Sequence, residues 1–598
     1  MRTGSSLTLP AVAVALALGI APPPADGQTP ASPPVDPARV APSPPGLKWE
    51  GMFTFGALAT DGRNDLGRVG EFQVLEQGAV PALAAEFWGD NNGLHFDVSA
   101  RHAGDARAQR YVADIDFNRW VRAHVRYQRF PHRIEHDSLA YLDSASNING
   151  TFVVTHEDTD PGARYQVNVG ELDARVSINL PAGVSFFVGH RQQMRDGARQ
   201  STTVNHCATC HVRGYTRQVD ETTRDLSAGA RIARGPVSVD YTYTNRLFRS
   251  DAPTIITQYI NGVHPATLQD IFLNRLWYEE EDGLLPMATV PGLRKDMHVV
   301  RANVALPSDA WLSGQFTKSV SRNEDTRLEV DYTGGSGRLV VPVHPKLTLR
   351  ADLRRYSIEA DDVFVHVPEK PNPAGPIAGL TYEQAYPTVG ELDWTRYSER
   401  SRTPTEMAVE LNYRPRKKTS LRFGYEWERI DRPHGEIDQT TTNTVLVSGR
   451  APLGRLAQYR FRFRNDWIDE PFRYVHAATP AVLQPFPSPG SPPSPLLGLQ
   501  YYEFYRTRST DLTSFPSRDL RFDQTVSWTP DERVAISASY RYRDSKNDEL
   551  NYSDWTRSAH SPGVDLWFAG GERWTLSAGY QYQRERLETL FSTLAFVG

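Results

Sequence analysis

A period-two alternation of apolar and polar residues constrains the fold of this chain more than any other feature. Between Leu172 and Leu180 every second residue is apolar and the residues between them are polar, and the run ends at the turn centred on Ala182. The same pattern returns over residues 459–464, 534–542 and 574–582. Alternation of this kind predicts β-strands that have one apolar and one polar face.

Short polar turns separate the predicted strands at one end, and much longer connections separate them at the other. The long connections run from Asp251 to Arg294, from Ala360 to Arg402 and from Asp469 to Arg518, and they are rich in Pro, Gly, Asp and Tyr. The short turns are centred on Ala182, Gly235, Ser308, Pro345, Pro415, Leu453, Asp531 and Gly571. Short periplasmic turns and long outer loops are typical of outer-membrane barrels. The sequence therefore predicts an all-β fold, a large antiparallel transmembrane β-barrel of roughly 20–26 strands.

The N-terminal segment predicts export. Arg2 precedes an almost wholly apolar run from Leu7 to Ile20, and small and Pro-rich residues follow. This arrangement is typical of a secretory signal peptide, and the run is shorter than the roughly 20 apolar residues of a membrane-spanning helix. Since no comparable run recurs, a helical membrane protein is excluded. We expect a signal peptide over residues 1–27, a Pro-rich periplasmic leader over 28–46 and the barrel over 47–598, in the outer membrane of a Gram-negative-type bacterium.

Composition separates the barrel from its alternatives. A large soluble sandwich or propeller also has alternating strands, but here 11% aromatic residues accompany a mean hydropathy of −0.50, and the apolar rows end in aromatics beside charged turns. Aromatic residues at such positions are expected at the lipid-facing girdles of a barrel. The 3.6-residue period that a helical solenoid needs is not found. A formal net charge of −5 argues against nucleic acid as a partner and leaves outer-membrane lipid.

One motif carries chemistry. It is Cys207–Ala208–Thr209–Cys210–His211, a C-x-x-C-H sequence that uses both cysteines of the chain. Two thiols at this spacing can form thioethers to the vinyl groups of haem c, and the adjacent imidazole can ligate the iron. The prediction is one covalent haem c held by Cys207, Cys210 and His211, with His211 as an axial ligand of the haem iron.

Other uses of the motif stay open. In an oxidising compartment the two cysteines could form a disulfide that staples the loop, and with His206 and His211 they could bind zinc, although four ligands so close in sequence have poor geometry. We expect the motif in a loop over residues 205–220, at the outer end of the barrel or folded into its lumen. A second axial ligand could be His190, Met194, His206 or a more distant histidine.

Arginine recurs at polar positions of the predicted strands. We expect these side chains to face the lumen, where they would line water or contact an inserted acidic partner. They are Arg422, Arg460, Arg462, Arg464, Arg541 and Arg543.

Two local patterns resemble a known family. A predicted strand that ends in Tyr-Gln-Arg-Phe at residues 127–130 runs into Pro131–His132–Arg133, and the cysteine pair is followed by Arg217, Asp220, Thr222 and Thr223. Together they resemble the MtrB/PioB-type family of decahaem-associated outer-membrane β-barrel proteins, over essentially the whole barrel from about Leu47. The resemblance implies a barrel without bond chemistry of its own, which sheathes a periplasmic multihaem c-type cytochrome and so lets electrons cross the outer membrane.

Two features depart from that family picture. A haem of its own at Cys207 and Cys210 is more than a plain sheath needs. The residues from Leu594 to Gly598 do not continue the alternation, so we expect an irregular final strand or a sequence that continues.

The first functional hypothesis is therefore a non-enzymatic electron conduit with a periplasmic multihaem cytochrome as its partner and an extracellular cytochrome as a further candidate. A diffusion porin or solute channel with a disulfide-stapled loop is the alternative from another class. An adhesin or structural barrel whose long loops bind surfaces is a third.

Overall fold

A computed structural model describes most of the barrel. The described residues are 48–60, 78–91, 93–103, 109–142, 147–148, 151–152, 154–205, 210–258, 284–366, 378–381, 384, 394–398, 400–434, 438–471, 515–549, 554–571 and 574–590. The predicted signal peptide and leader, most of the 469–518 connection and the residues after 590 lie outside them.

The described chain is built almost entirely of β-strands. In chain order they are β1 (Lys48–Thr60), β2 (Gly78–Asn91), β3 (Leu94–Ala103), β4 (Gln109–Phe117), β5 (Val121–Ile134), β6 (Asn147–Ile148), β7 (Thr151–Phe152), β8 (Val154–Asp158), β9 (Tyr165–Leu180), β10 (Val184–Asn205), β11 (Cys210–Arg234), β12 (Val237–Ser250), β13 (Ile255–Gln258), β14 (Leu284–Met287), β15 (Leu293–Ala305), β16 (Trp311–Asn323), β17 (Glu329–His344), β18 (Leu347–Ala360), β19 (Val363–Val365), β20 (Trp394–Arg396), β21 (Thr403–Arg416), β22 (Thr419–Asp431), β23 (Gln439–Leu453), β24 (Ala457–Asp469), β25 (Arg518–Asp531), β26 (Val534–Lys546), β27 (Asp554–Ala569), β28 (Thr575–Gln581) and β29 (Arg584–Leu590). No helix in this part of the chain is long and apolar enough to cross a membrane.

One sheet of 23 strands contains all the long elements. Long strands that follow one another along the chain pair antiparallel, from β1 with β2 as far as β27 with β28 and β29, while the short strand β8 pairs parallel to β11. Three two-stranded ladders lie in the long connections: β6–β7, β13–β14 and β19–β20. Within the described residues, no ladder joins β1 to β28 or β29. The predicted all-β antiparallel barrel class is confirmed, and the 23 strands fall within the predicted range.

The two faces of this sheet differ in chemistry, as the alternation predicts. On β24 and β25, Tyr459 lies opposite Val526 on one face, while Arg462 lies opposite Asp523 on the other. The apolar face carries large exposed side chains that no second layer covers: Phe53, Phe55, Val125, Phe186, Val188, Leu226, Ile232, Val239, Phe316, Leu353, Met407, Val409, Phe423, Val526 and Val564. An apolar surface of this extent requires lipid around it. We call this the outer face, and the opposite, polar face the inner face.

The predicted short turns all lie at strand junctions. Pro181–Gly183 forms a single 3-10 turn between β9 and β10, where Ala182 adopts a left-handed φ of 65°. Three turns are displaced by a residue or more from their predicted centres, because β21 continues through a register shift to Arg416, β23 continues to Leu453 and β25 continues through a register shift to Asp531. All of these junctions lie at one end of the sheet, which we call the short-turn end; the long connections lie at the opposite, long-connection end.

The predicted loop over residues 205–220 is largely strand instead. β11 begins at Cys210 and pairs with β10 without interruption as far as Asn205, so only residues 206–209 connect the two strands. The upper part of this hairpin carries Gln, Ser, Thr and Arg on both faces. A strand alternates apolar and polar residues when one of its faces contacts lipid and the other contacts water. A hairpin with water on both faces has no reason to alternate in this way.

Candidate functional site

The C-x-x-C-H motif lies at the end of the longest hairpin of the barrel. β12 pairs with β11 only up to Glu221, and β9 pairs with β10 only up to Ala198. The segment of β11 from Cys210 to Asp220 therefore extends beyond its neighbour, by roughly 35 Å of strand at about 3.3 Å per residue. We call this upper part of the β10–β11 hairpin the extension.

The structure gives the backbone position of two motif residues. Cys210 pairs with Val154 of β8, and His211 lies between Asn205 of β10 and Thr155 of β8. Cys207, like His206, lies outside the described residues. The motif is thus at the long-connection end, at the tip of the extension.

Two of the proposed second axial ligands are far from the motif. Met194 lies opposite Thr222, and His190 lies opposite Leu226. Met194 is eleven residues below Asn205 on β10, which corresponds to roughly 36 Å of strand. Neither residue can therefore reach an iron bound at His211. Sequence reasoning did not single out His156, whose backbone pairs with Val212 beside the motif; β8 and β11 are far apart in sequence, so spacing carried no signal for it.

The loop over residues 158–165 forms hydrogen bonds with the edge of β11 that faces away from β10. The amide and hydroxyl of Thr159 both donate to the carbonyl of Gly214, at 3.0 and 2.7 Å. The amide of Thr216 donates to Asp160 Oδ2 at 2.9 Å. Hydrogen bonds from Thr216 lower the pKa of Asp160. These contacts satisfy the edge of β11 where β12 is absent.

His136 ties this loop to the segment that follows β5. Its Nδ1 lies 2.8 Å from the carbonyl oxygen of Ala163 and its Nε2 lies 2.7 Å from Asp158 Oδ2. Both ring nitrogens thus face oxygen acceptors, an arrangement that favours the doubly protonated imidazolium over the neutral ring. Burial acts to lower the pKa of His136, but the two hydrogen bonds and the Asp158 charge outweigh it and raise this pKa.

The opposite edge and the base of the extension are also held. Gln200 of β10 exchanges two hydrogen bonds with the backbone of Asp137, at 2.9 and 2.7 Å. At the base, the nearly buried Glu221 accepts from Arg195 at 2.9 Å and lies 3.6 Å from the buried Arg217. The extension is therefore a fixed arm, which holds the backbone of Cys210 and His211 away from the barrel wall.

The inner face carries a ladder of charged side chains. Asp519, 2% exposed, accepts hydrogen bonds from Arg521, Arg543 and Ser545. On the neighbouring strands Arg464 contacts Asp466 and Glu426, at 2.9 and 3.3 Å. The predicted lumen-facing arginines Arg422, Arg460, Arg462, Arg464, Arg541 and Arg543 all lie on this face. A charged inner face is compatible with water or with a polar protein surface, and not with lipid.

The sequence matches one family, described as "Putative outer membrane beta-barrel porin, MtrB/PioB", over residues 281–463. The predicted resemblance to the MtrB/PioB family is confirmed. The matched segment covers strands from β14 to most of β24 and does not include the C-x-x-C-H motif. The protein is accordingly a porin-like outer-membrane β-barrel, as the apolar outer face requires. No curated protein matches the sequence.

Several solved outer-membrane receptors are similar to this chain at low sequence identity. The ferric-catecholate import receptor Fiu from E. coli K12 shares 8% sequence identity, with a TM-score of 0.41 and coverage of 90% of this chain and 81% of the receptor. The siderophore receptor PirA from Acinetobacter baumannii shares 5% identity, with a TM-score of 0.46 and coverage of 90% and 76%. The FrpB iron transporter from Neisseria meningitidis shares 8% identity, with a TM-score of 0.39 and coverage of 89% and 87%.

Proposed function

We propose that this barrel sheathes a periplasmic multihaem c-type cytochrome and carries one haem c of its own at the tip of the extension. The observation that carries the proposal is the place of the C-x-x-C-H motif, at the end of an arm that extends from the long-connection end. The match to the MtrB/PioB family supports the sheath role. An electron that leaves the enclosed cytochrome would then have a further carrier beyond the barrel wall.

The donor set fits a covalent haem. Cys207 and Cys210 would form the two thioethers, and His211 would ligate the iron from one side. Cys210 is the first residue of β11, and only residues 206–209 separate it from the end of β10, so the motif falls at the end of the hairpin. Bound haem supplies one-electron transfer. The chain itself would supply the two thioether cysteines and the imidazole of His211, and His136, Asp160 and Gln200 provide a rigid support for the hairpin that carries them.

A haem stain of the denatured full-length protein, purified from its native membrane, tests the attachment. We expect a covalent haem band and a visible haem spectrum that the variants Cys207→Ala and Cys210→Ala both lose. Thr209→Ala is the matched control, since it changes a residue between the cysteines and leaves the motif intact. If the protein shows no haem band and its mass is two protons below that of the dithiol form, Cys207 and Cys210 form a disulfide and the haem proposal fails.

Retention of the partner tests the sheath separately. We expect a multihaem c-type cytochrome to co-purify with the wild-type barrel, and deletion of the barrel gene to abolish electron exchange with extracellular iron. Unchanged exchange in the deletion strain would contradict the conduit.

The second candidate is a diffusion porin with a disulfide-stapled hairpin, which the family description and the polar inner face favour. Liposome swelling separates the two. An empty porin admits small sugars, whereas a barrel filled by its partner admits few.

A further inference from the structure

One region of the inner face concentrates arginines near the short-turn end. It spans β22 to β26 and consists of Arg422, Arg450, Arg460, Arg462 and Arg541. We call these five residues the basic patch. All five are exposed. Two of the five have a carboxylate of the wall nearby: Arg422 lies 3.4 Å from Glu410 of β21, and Arg541 lies 3.9 Å from Asp523 of β25.

The strand register places like charges against one another in the basic patch. Arg450 lies directly opposite Arg460, and Arg462 follows on the same face of β24. Like charges directly opposite each other on neighbouring strands destabilise a sheet. In the described part of the chain, no carboxylate lies within salt-bridge distance of Arg450, Arg460 or Arg462; Arg460 donates to the neutral Gln458 at 3.1 Å.

The same wall neutralises its arginines elsewhere. Four residues further along β24 from Arg460, Arg464 contacts two carboxylates, and across the sheet Arg543 donates to the buried Asp519. The unpaired arginines are therefore a local property of the short-turn half, where the repulsion remains without an internal partner.

The rim beside the basic patch is mostly basic, although the turn between β25 and β26 also carries the exposed Asp531 and Glu532 next to Arg533. The turn that joins β21 and β22 presents Arg414, Arg416, Lys417 and Lys418, all exposed, and the turn between β23 and β24 adds Arg455. This concentration occurs in a chain whose formal net charge is −5. Surfaces lined by one sign of charge attract and orient groups of the opposite sign.

We propose that the basic patch and its rim form the docking surface for an acidic face of a polypeptide that enters the lumen from the short-turn end. The inference rests on the proposed sheath function and specifies which wall contacts the partner. Carboxylates of the partner would form charge-assisted hydrogen bonds with Arg450, Arg460 and Arg462 and relieve their repulsion.

The width of the surface favours a polypeptide over a small anion. Arg450, Arg460 and Arg462, which have no carboxylate within salt-bridge distance, lie on the adjacent strands β23 and β24. Arg422 and Arg541, each near one carboxylate, lie on strands four positions apart and extend the basic patch to a width of roughly 19 Å at about 4.8 Å between strands. A single phosphate or carboxylate can contact two neighbouring guanidinium groups, whereas a protein face with several carboxylates can contact the whole width.

Binding of fluorescein-labelled poly-L-glutamate to the detergent-solubilised, full-length barrel tests the docking surface by fluorescence anisotropy. We expect saturable binding that weakens with salt, and a dissociation constant about tenfold higher for the triple variant Arg450→Gln/Arg460→Gln/Arg462→Gln. Arg460→Gln alone should raise the dissociation constant about threefold. Arg301→Gln is its matched control, because Arg301 is also an exposed inner-face arginine that donates to a glutamine, Gln315 at 2.9 Å. Poly-L-lysine should not bind to the patch.

Equal affinity of the triple variant and the wild type for poly-L-glutamate would overturn the proposal. Competition by monomeric glutamate or inorganic phosphate at the same carboxylate or phosphate concentration would also overturn it, because the patch would then be a small-anion site. The sheath is judged separately by cytochrome retention in the wild type. If the wild type and the triple variant retain the cytochrome equally well, the docking surface is wrong and the sheath stands; if the wild type retains none, the sheath itself fails.

Discussion

Replacement of Asp519 by asparagine should destabilise the barrel more than any other single charge removal on the inner face of β25. The carboxylate is 2% exposed and accepts from Arg543 at 2.9 and 3.0 Å, from Ser545 at 2.7 Å and from Arg521. Removal of one partner from a buried ion pair costs about 3–5 kcal/mol. The side chains of Arg521 and Arg543 are 47% and 31% exposed, so water can rehydrate them in the variant. We therefore expect the lower end, a loss of about 3 kcal/mol.

Asp523→Asn is the matched control for this prediction. Asp523 lies on the same strand and the same face, but its side chain is 49% exposed and its closest cation, Arg541, is 3.9 Å away. An exposed pair of this kind contributes about 0–1 kcal/mol, so Asp523→Asn should change the unfolding free energy little.

Urea unfolding in lipid vesicles, followed by tryptophan fluorescence, measures both variants. A gel-mobility shift between folded and heat-denatured barrel reports independently that each variant reaches the native state at low urea. If Asp519→Asn and Asp523→Asn unfold within about 1 kcal/mol of each other, the buried carboxylate does not hold β25 to β26, and the argument from its hydrogen bonds fails.

Three further outcomes follow from single residues. The raised pKa of His136 means that its protonated ring stabilises the extension at low pH, and that this contribution is lost as the pH rises through the folded-state pKa. Hydrogen exchange of the Gly214 and Thr216 amides, corrected for intrinsic rates, should therefore show protection that decreases with rising pH in the wild type and no such dependence in His136→Gln. Burial and the neighbouring carboxylates raise the pKa of Glu549 to about 7, so its ionisation destabilises the long-connection end as the pH rises from about 4.5 through 7. Glu549→Gln should therefore stabilise the barrel at pH 8 by about 1 kcal/mol after solvent screening, and an unchanged unfolding midpoint would contradict this. Gly197 has a φ of +141°, and a Cβ there would lie 2.1 Å from the carbonyl oxygen of Gln166. Gly197→Ala should therefore lower the unfolding free energy by about 2 kcal/mol or more in the same urea titration. Gly335→Ala is the control and should have a much smaller effect, because the atom nearest to a Cβ at Gly335 is 3.6 Å away.

Much of the barrel wall could be predicted from local patterns. The alternation from Leu172 to Leu180 identified β9, and the turn residues at 181–183 and 234–236 identified the ends of hairpins. These signals are local, because a strand between lipid and water must alternate along its own length. The extension was wrongly predicted as a loop over residues 205–220, because a strand that meets water on both faces carries no such alternation.

The candidate site divides in the same way. Cys207, Cys210 and His211 form a motif that is complete within five residues, so their chemistry could be predicted without a fold; its use for haem c stays a prediction. Their support could not be predicted. His136, Asp160 and Thr216 meet only because the chain after β5 folds back over β11. Hydrogen bonds between residues 22, 51 and 56 positions apart then join them with Asp158 and Tyr165 in one network.

The sequence by itself determined which side chains face lipid and which face the lumen, since period two is a property of each strand alone. Only the tertiary structure decided which lumen-facing charges meet. Arg464, Arg460 and Arg462 look alike in sequence, yet the register pairs the first with carboxylates and sets Arg460 against Arg450. Register arises from pairing between strands that long or short connections bring together, and a shift of two residues would keep every face unchanged while it exchanged every charge partner.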